Sequence, residues 1–228
     1  MVISLVSAGA PQSGVMACME VYTADTGARF KPSYMTSPEI KKLMERDGPK
    51  PDILVGTEAH MATYGAAGLL DGSSLVRIGD VEAGVAVRAG TKFPDISSTE
   101  ALRESILNAE RVLFNDAISG QYIEKMIEGL GIAKQIADRT ERLPSAARLM
   151  ERIGAGQGNE IGFGQIPAIR RLAEHGVVVV GPLPEALGNT TSYVAGAIDP
   201  QASRVIKGFL GFIETPRGRD ILDTAGIV

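Results

Sequence analysis

Hydrophobic residues recur in two alternating patterns along the first third of the chain. A short, mostly apolar run at residues 2–6 is typical of a buried strand, small residues at 7–11 interrupt it, and a stretch with helical periodicity follows. Residues 29–34 and 51–56 are two further strand-like runs, and each is followed by another helical pattern. This alternation of strand and helix predicts an α/β fold with a parallel, doubly wound sheet.

The start of the second predicted helix is marked by two consecutive residues, Ser37 and Pro38. Serine is favoured as an N-cap, and proline is favoured at the first helical position because its missing N–H has no intrahelical partner there. Ile40 and Leu43 then begin a buried face at helical spacing. We therefore predict that Ser37 caps this helix.

The pattern changes from about residue 75, where two extended segments, 75–78 and 84–88, follow each other closely. Strand–helix units then restart, and another extended segment at 192–197 precedes two final helices. We predict that these extended stretches are crossover segments joining two doubly wound α/β lobes. The predicted lobes are residues 1–82 with 196–228, and residues 83–195.

Composition and charge exclude several classes of protein. The 228 residues are 44% hydrophobic and 22% charged, which is the balance of a folded globular chain rather than a disordered one. Basic residues number 23 and acidic residues 27, for a net charge of -4. No general positive field therefore exists to hold nucleic acid or an anionic membrane, although a local anion site is compatible with this charge.

The sequence contains few residues for metal or cofactor chemistry. A single cysteine, Cys18, excludes an intramolecular disulfide and a cysteine-cluster metal site, and two distant histidines argue against a histidine-rich zinc site. Neither a Walker motif nor a GxGxxG pattern is present, so the glycines at 154–164 are interpreted as turn residues. We expect no metal and no cofactor.

The short apolar run at residues 2–6 is relevant to the cellular location of the protein. Residues 2–6 are too few for a membrane span or for the core of a signal peptide, and no basic segment precedes them. The chain is therefore expected to be either cytosolic or secreted with its leader removed.

Four loops at predicted strand ends are candidates for ligand binding, because ligands of parallel sheets bind beyond the carboxyl ends of the strands. Each loop combines small or hydroxyl residues with a following helix, whose free N–H groups attract an anion. We predict that the two lobes close on one anion in the cleft between them. The loops are residues 7–11, 34–37, 115–120 and 162–165.

The side chains expected to contact the anion in these loops are Ser7, Thr36, Ser37, Ser119 and Gln165. The alternative for Ser37 and Ser119 is ordinary helix capping. Tyr193, on the returning segment, is either a packing residue or a residue whose hydroxyl faces the cleft.

A catalytic constellation is harder to place. His60 and His175 both lie on predicted helices away from the loop ends, so no Ser/His/Asp arrangement is expected. Asp116 is the best candidate for proton transfer because it lies in a candidate ligand loop, with a turn or capping role as the alternative. Cys18 lies inside the first predicted helix and is interpreted as a small core residue.

Several strings, in their order and spacing, resemble the type II periplasmic solute-binding proteins, specifically the molybdate-binding-protein-like branch of the ABC importers. The resemblance runs nearly end to end. Its pieces include Ile-Ser-Leu-Val-Ser-Ala-Gly-Ala at 3–10, Pro-Asp-Ile-Leu-Val at 51–55, Gly-Val-Ala-Val-Arg-Ala-Gly at 84–90, Glu-Ile-Gly-Phe-Gly-Gln-Ile at 160–166 and Val-Gly-Pro-Leu-Pro at 180–184.

The resemblance implies an oxyanion held by hydroxyls and backbone amides, without a neutralising lysine or arginine. Ser37 falls where a ligand serine of the second loop is expected, and Tyr193 where a ligand tyrosine of the returning segment is expected. Ala10 occupies the place of the first-loop ligand serine, which leaves a backbone amide there, with Ser7 as a neighbouring hydroxyl. Ala117 aligns with the ligand loop of the second lobe.

The resemblance also implies partners and a location. It indicates a periplasmic monomer that closes by a hinge on a small anion and delivers it to the membrane subunits of an ABC transporter. The signal peptide is then absent from this chain, and a cytosolic location stays open.

An alternative function comes from the same resemblance, because some relatives of this branch are enzymes, notably aconitate isomerase. Moving a double bond in a tricarboxylate needs a base, for which Asp116 or Tyr193 are the candidates. A tricarboxylate also calls for arginines, and Arg29 or Arg88 would have to face the ligand.

Overall fold

The computed structural model describes residues 2–116 and 118–228 of the chain. Residues 1–81 and 191–228 form one compact unit, here called unit 1, and residues 82–190 form unit 2. Both units contain alternating strands and helices, so the predicted α/β class is confirmed. No helix in the described part of the chain is both long and apolar enough to cross a membrane.

The elements of the described residues are numbered in chain order. The strands are β1 Val2–Ala8, β2 Arg29–Met35, β3 Ile53–Thr57, β4 Val76–Arg88, β5 Arg111–Asn115, β6 Thr140–Leu143, β7 Glu160–Gln165, β8 Val177–Pro182 and β9 Thr190–Ala197. The helices are α1 Gln12–Thr26, α2 Ser37–Glu45, α3 Glu58–Ala66, α4 Thr99–Asn108, α5 Ile118–Gly129, α6 Ala133–Ile136, α7 Ala146–Ala155, α8 Ile166–Arg171, α9 Arg204–Ile213 and α10 Pro216–Thr224.

In unit 1, strand β1 lies between β2 and β3 and is parallel to both. Ser7 of β1 is opposite Tyr34 on one side and Val55 on the other. Strand β9 continues this sheet beside β3 but runs antiparallel to it, with Tyr193 opposite Thr57. The carboxyl ends of the three parallel strands therefore lie at one edge of the sheet, which also holds Tyr193.

In unit 2, strand β5 lies between β6 and β7 and is parallel to both. Strand β4 runs antiparallel to β7 and to β8, with Ala83 opposite Gln165 and Arg88 opposite Val177. Each unit thus has a parallel, helix-connected group of three strands, as predicted. Antiparallel strands complete both sheets, and the sequence pattern did not indicate their direction.

The segment after residue 75 differs from the prediction. The two extended segments predicted there form one strand of 13 residues, β4. The chain stays extended between those segments, where Asp80 exchanges backbone hydrogen bonds with Val228 and the Ala83 N–H donates to the Asn189 carbonyl oxygen. Strand β6 and the short helix α6 were also missed, because a four-residue strand with the sequence Thr-Glu-Arg-Leu lacks an apolar run.

Unit 2 shows how alternating burial places helices on both faces of a sheet. Val112 and Phe114 of β5 belong to one hydrophobic cluster and Leu113 to another, as expected when successive side chains point to opposite faces. The first cluster also contains Leu102 and Ile106 from α4 and Ile123 from α5. The second contains Leu149 and Ile153 from α7 and Ile169 from α8.

Aromatic side chains from the first part of the chain and from helix α9 pack together in unit 1. Phe209 is fully buried, and its ring centroid lies 4.7 Å from that of Phe30 and 5.4 Å from that of Tyr22. Such tilted and edge-on ring pairs contribute packing beyond the buried apolar area. Helix α9 therefore packs on the first part of the chain through Phe209.

Cys18 is expected to be unreactive in the folded protein. Its side chain is fully buried in α1, and burial raises the pKa of the thiol to about 11. Because the thiolate is the nucleophile, a thiol-specific disulfide reagent at neutral pH should label Cys18 only after denaturant is added. Rapid labelling of the native protein would contradict this prediction.

The raised pKa of Cys18 also predicts that the free energy of unfolding falls as the pH rises above about 8.5, where the unfolded thiol loses its proton first.

Candidate functional site

The candidate site in unit 1 follows from the parallel strands. Strand β1 ends at Ala8 and leads through the exposed Gly9 into α1; β2 ends at Met35 beside α2, and β3 ends at Thr57 beside α3. The starts of three helices therefore lie at the same sheet edge. The first N–H groups of each helix have no intrahelical partner, so this edge presents several donors to a ligand.

The first loop contains two of the predicted residues, Ser7 and Ala10. Ser7 is fully buried, and its hydroxyl donates to the carbonyl oxygen of Ala8 at 2.8 Å. Ala10 is only 9% exposed and packs in the hydrophobic cluster of unit 1. Ser7 therefore uses its donor within the strand end, and the side chain of Ala10 contributes packing.

Ser13 was missed by the sequence analysis. It is the second residue of α1, and its hydroxyl oxygen is buried without a hydrogen-bond partner among the described residues. A buried hydroxyl without a partner is unfavourable, so a polar ligand at the start of α1 would satisfy it. The sequence signal was a serine in the first turn after Pro11, which we overlooked in favour of Ser7.

The start of α2 differs from the prediction, because Thr36 and not Ser37 is the N-cap. The Glu39 carboxylate accepts hydrogen bonds from the Thr36 backbone N–H and from the Thr36 hydroxyl, both at 2.7 Å. Thr36 and Glu39 thus form a capping box, a reciprocal arrangement that outweighs the Ser-Pro signal we followed. Ser37 is the first helical residue, half-buried, and its hydroxyl makes no hydrogen bond within the described part of the chain.

Glu39 gives a pH dependence that can be measured. The backbone N–H of Thr36, followed by its hydroxyl, lowers the pKa of the Glu39 carboxyl. A lowered folded-state pKa means that the stabilisation is present above the ordinary value of about 4.3 and is lost as the pH falls through the folded value below it. Glu39→Gln should therefore lower the melting temperature at neutral pH, and the difference from wild type should be smaller at pH 3 than at pH 7. An equal difference at both pH values would contradict the capping role.

Tyr193 lies at the same edge of unit 1 but is mostly enclosed. Its side chain is 6% exposed and belongs to the hydrophobic cluster of the unit. Opposite it, Thr57 caps α3, with its hydroxyl oxygen 3.4 Å from the His60 backbone N–H. The ring of Tyr193 therefore packs in the core of unit 1, which is one of the two roles predicted from the sequence. Only its phenol hydroxyl would contact a ligand.

The corresponding edge of unit 2 contains the other predicted residues. Ser119 lies in the first turn of α5 and is not its N-cap, because the helix begins at residue 118. The Ser119 hydroxyl is 3.4 Å from the side-chain oxygen of Asn115, a long hydrogen bond. Asp116 is exposed, and its backbone N–H donates to the carbonyl oxygen of Leu143. Ala117 lies outside the described residues.

Gln165 completes this edge of unit 2. It is the last residue of β7 and occupies the N-cap position of α8, without a side-chain capping hydrogen bond. Because β5 and β7 are parallel, Gln165 and Asn115 lie at the same end of the sheet. The structure therefore brings Asn115, Ser119 and Gln165 to one edge.

The two arginines considered for a tricarboxylate lie elsewhere. Arg88 is five positions beyond Ala83, which is the partner of Gln165, so it is displaced roughly 16 Å along the strand. Arg29 begins β2, at the opposite end from Thr36. Each arginine is therefore at the far edge of its own sheet from the loops described above.

The described residues show no other arrangement for catalysis. His60 is exposed at the start of α3, and His175 lies in a short turn before β8. Across residues 2–116 and 118–228, no group of three or more His, Cys, Asp and Glu side chains is placed to hold a metal ion.

Comparison with known proteins gives similarities over nearly the whole chain. An aconitate isomerase from Pseudomonas sp is 24% identical over 221 residues, which are 91% of this chain and 81% of that protein. Among solved structures, the substrate-binding domain assigned to a molybdenum ABC transporter of Clostridium difficile superposes with a TM-score of 0.77 at 14% identity, covering 99% of this chain and 97% of that one. The periplasmic molybdate-binding protein of Azotobacter vinelandii gives a TM-score of 0.71 at 13% identity, covering 99% and 98%.

These structural likenesses confirm the expected periplasmic-binding-protein-like fold. The family model described as bacterial extracellular solute-binding protein matches residues 3–228. The match spans both units and every strand and helix of the structure. This chain therefore belongs to the bacterial extracellular solute-binding protein family.

Proposed function

We propose that the protein is an extracytoplasmic solute-binding protein that captures a small anion and delivers it to an ABC importer. The anion is a molybdate-like oxyanion or a small carboxylate. The proposal combines the family of the chain with the donors at its strand ends, because neither observation alone specifies a ligand.

The observation that carries the proposal is the Ser37 hydroxyl at the start of α2. It makes no hydrogen bond within the described residues, and the Ser37 backbone N–H beside it has no partner within the helix. The Ser13 hydroxyl is likewise buried without a partner at the start of α1. Two hydroxyl donors at two helix starts on one sheet edge suit an anion, since the helix dipoles favour negative charge there.

We also propose that two side chains of unit 2 donate to an anion. The hydroxyl of Ser119 and the amide of Gln165 lie at the corresponding edge of that unit, each beside a helix start. From unit 1, Tyr193 contributes its hydroxyl, and Ala10 contributes a backbone amide. Ser7, Thr36 and Ala117 have secondary parts: Ser7 and Thr36 already donate within the protein, and Ala117 offers only its backbone.

The partners and location in the proposal follow the family. One structural neighbour is described as part of a molybdenum ABC transporter and another as periplasmic. We infer that this protein acts as a monomer in the same compartment and docks on the membrane subunits of an importer. No metal or cofactor takes part.

A thermal unfolding screen tests the proposal. A ligand that binds only the folded state increases the free energy of unfolding by mass action, by about 2.7 kcal/mol at a hundredfold excess over Kd, and so raises the melting temperature. Molybdate, sulfate, phosphate, citrate and both aconitate isomers should be compared at equal ionic strength, with chloride as the control. We expect at least one to raise the melting temperature in a saturable way. A flat response to all of them would overturn the proposal.

The second candidate function is isomerisation of a small carboxylate, and it is favoured by the similarity to aconitate isomerase over 91% of the chain. Its base would be Asp116 or Tyr193. The distant positions of Arg29 and Arg88 favour binding over this chemistry. Incubation with one aconitate isomer and chromatographic detection of the other distinguishes the two functions, and turnover lost in Asp116→Asn or Tyr193→Phe would establish the enzyme.

A further inference from the structure

Unit 2 contains a cavity that the proposed function does not use. Its volume is about 610 Å³, and it lies between the segment after β4 and the glycine-rich segment that leads into β7. Both segments stand out in the sequence, and neither belongs to the strand-end loops described above. The side chains that matter here are Arg88, Lys92, Phe93, Asp95, Gln157 and Asn159.

The position of the cavity separates it from the candidate anion site. Glu160, the first residue of β7, lines it, whereas Gln165, the last residue of the same strand, lies at the edge proposed to bind the anion. The two residues are five positions apart along an extended strand, or roughly 16 Å. A ligand in the cavity would therefore occupy the opposite edge of the sheet of unit 2.

Arg88 supplies the evidence for an anionic group. Its Nε is buried and has no hydrogen-bond partner among the described residues. A buried guanidinium N–H without an acceptor is unfavourable, and a carboxylate is the acceptor whose planar geometry matches it. Arg88 also lines the cavity, so its guanidinium brings a positive charge there.

The carboxylates near Arg88 have other partners. Glu160 accepts two hydrogen bonds from Arg152, at 2.9 and 3.0 Å, and these raise the pKa of the Arg152 guanidinium. Asp95 accepts the backbone N–H of Ser97 at 2.9 Å. The cationic Lys92 is exposed at the cavity. Arg152 neutralises Glu160, so the two cations Arg88 and Lys92 outnumber the one uncompensated carboxylate, Asp95, at the cavity.

Phe93 supplies the evidence for an apolar group. It is 51% exposed, and a large hydrophobic side chain of this kind is costly to leave in water. It is next to Lys92 in the chain and lines the same cavity as Arg88. A ligand that carries both an acidic and an apolar part would use both features at once.

We propose that this cavity is a second ligand site, which binds a small carboxylate carrying an aromatic or branched apolar group. The carboxylate pairs with the guanidinium of Arg88, with Lys92 adding positive charge, and the apolar group covers the exposed face of Phe93. The side-chain amides of Gln157 and Asn159 line the same cavity and are available to the polar end of the ligand. The inference is independent of the anion proposed for the strand-end loops.

The test is a titration of the isotopically labelled full chain with phenylacetate, followed by the backbone amide resonances. Phenylacetate should shift the amides of residues 88–95 and 157–161 in a saturable way at millimolar concentration. Benzyl alcohol, which lacks the carboxylate, and acetate, which lacks the ring, should each bind at least about tenfold more weakly, since a hydrogen bond to a charged group is lost or the apolar area is not buried.

Three variants make the titration decisive. Arg88→Gln should weaken phenylacetate binding about tenfold or more, and Phe93→Ala severalfold, while Arg171→Gln, an exposed arginine of α8, should change nothing. Phe93 is on the surface, so Phe93→Ala should fold even if Arg88→Gln does not. None of the three should alter stabilisation by the oxyanions of the thermal screen.

Several results would overturn the proposal. These are the absence of any amide shift at saturating millimolar phenylacetate, amide shifts centred on Ser37 or Ser119, or binding of benzyl alcohol as tight as that of phenylacetate. Binding that survives both Arg88→Gln and Phe93→Ala would also overturn it. Because the strand-end anion is assayed separately, failure of either site leaves the other measurable.

Discussion

Gly120→Ala is expected to destabilise the protein by about 3 kcal/mol or more, because overpacking against a fixed backbone is costly. Gly120 is buried in the first turn of α5, and a Cβ there would overlap the carbonyl oxygen of Asn115. A backbone carbonyl at the end of a central strand cannot move aside as a flexible side-chain end would. The substitution should therefore displace the start of α5, together with Ser119, and abolish anion binding. Chemical denaturation and calorimetric titration measure the two effects.

Gly129→Ala is the matched control, because it places the same methyl group in the same helix. Gly129 ends α5, and a Cβ there would meet no atom within 4 Å. The variant should be as stable as wild type or up to about 1 kcal/mol more stable, since alanine loses less backbone entropy in a helix than glycine. If Gly120→Ala and Gly129→Ala unfold at the same denaturant concentration, α5 does not begin as described.

Ser37→Ala is expected to weaken anion binding by about tenfold to a hundredfold, because a hydrogen bond to a charged group contributes about 1.5–3 kcal/mol. Since Thr36 and not Ser37 caps α2, the melting temperature of the unliganded variant should stay close to that of wild type. Calorimetric titration with the anion that stabilises wild type most in the thermal screen measures the change in affinity.

Ser203→Ala provides the reciprocal control for Ser37→Ala. Ser203 caps α9 in the same unit, and its hydroxyl accepts the backbone N–H of Ile206. Its removal should lower stability by about 1 kcal/mol and leave the anion affinity unchanged. Unchanged affinity in Ser37→Ala would remove Ser37 from the site, and a lowered melting temperature in that variant would mean that it caps the helix after all.

The parallel part of the fold was predictable because its signals are local. Alternating strand-like runs and amphipathic stretches indicated β1, α1, β2 and the units that follow, and their order implied the parallel pairing. The direction of β9 beside β3 was not predictable, since antiparallel pairing is decided by which distant strand lies alongside. Strand β4 was divided in error because Gly79 and the charged residues after it resemble a turn.

The candidate site was predictable as a set of loops but not at the level of individual hydroxyls. Ser37 and Thr36 are both good caps, and the choice between them depended on Glu39, whose carboxylate reaches back to Thr36. Ser7 and Ser13 are both serines near the start of α1, and only the structure distinguishes the bonded hydroxyl from the buried one without a partner. Hydrogen-bond satisfaction is a three-dimensional property that spacing does not encode.

Arg88 illustrates the same limit for charge. In the sequence it belongs to a string that resembles the family, and it was considered as a ligand for a tricarboxylate. The register of β4 against β7 places it at the edge of Glu160 and not at the edge of Gln165. The two ends of a strand lie at opposite edges of the sheet, so the position of a strand-end residue depends on the direction of its strand.

The most direct test of the proposed anion site is a backbone amide titration of the labelled protein with its most stabilising anion. The account predicts saturable shifts at the first residues of α1 and α2, beside the Ser13 and Ser37 hydroxyls. It also predicts no shift at the cavity beside Arg88. Shifts that avoid the starts of α1 and α2, or shifts centred on Arg88, would contradict it.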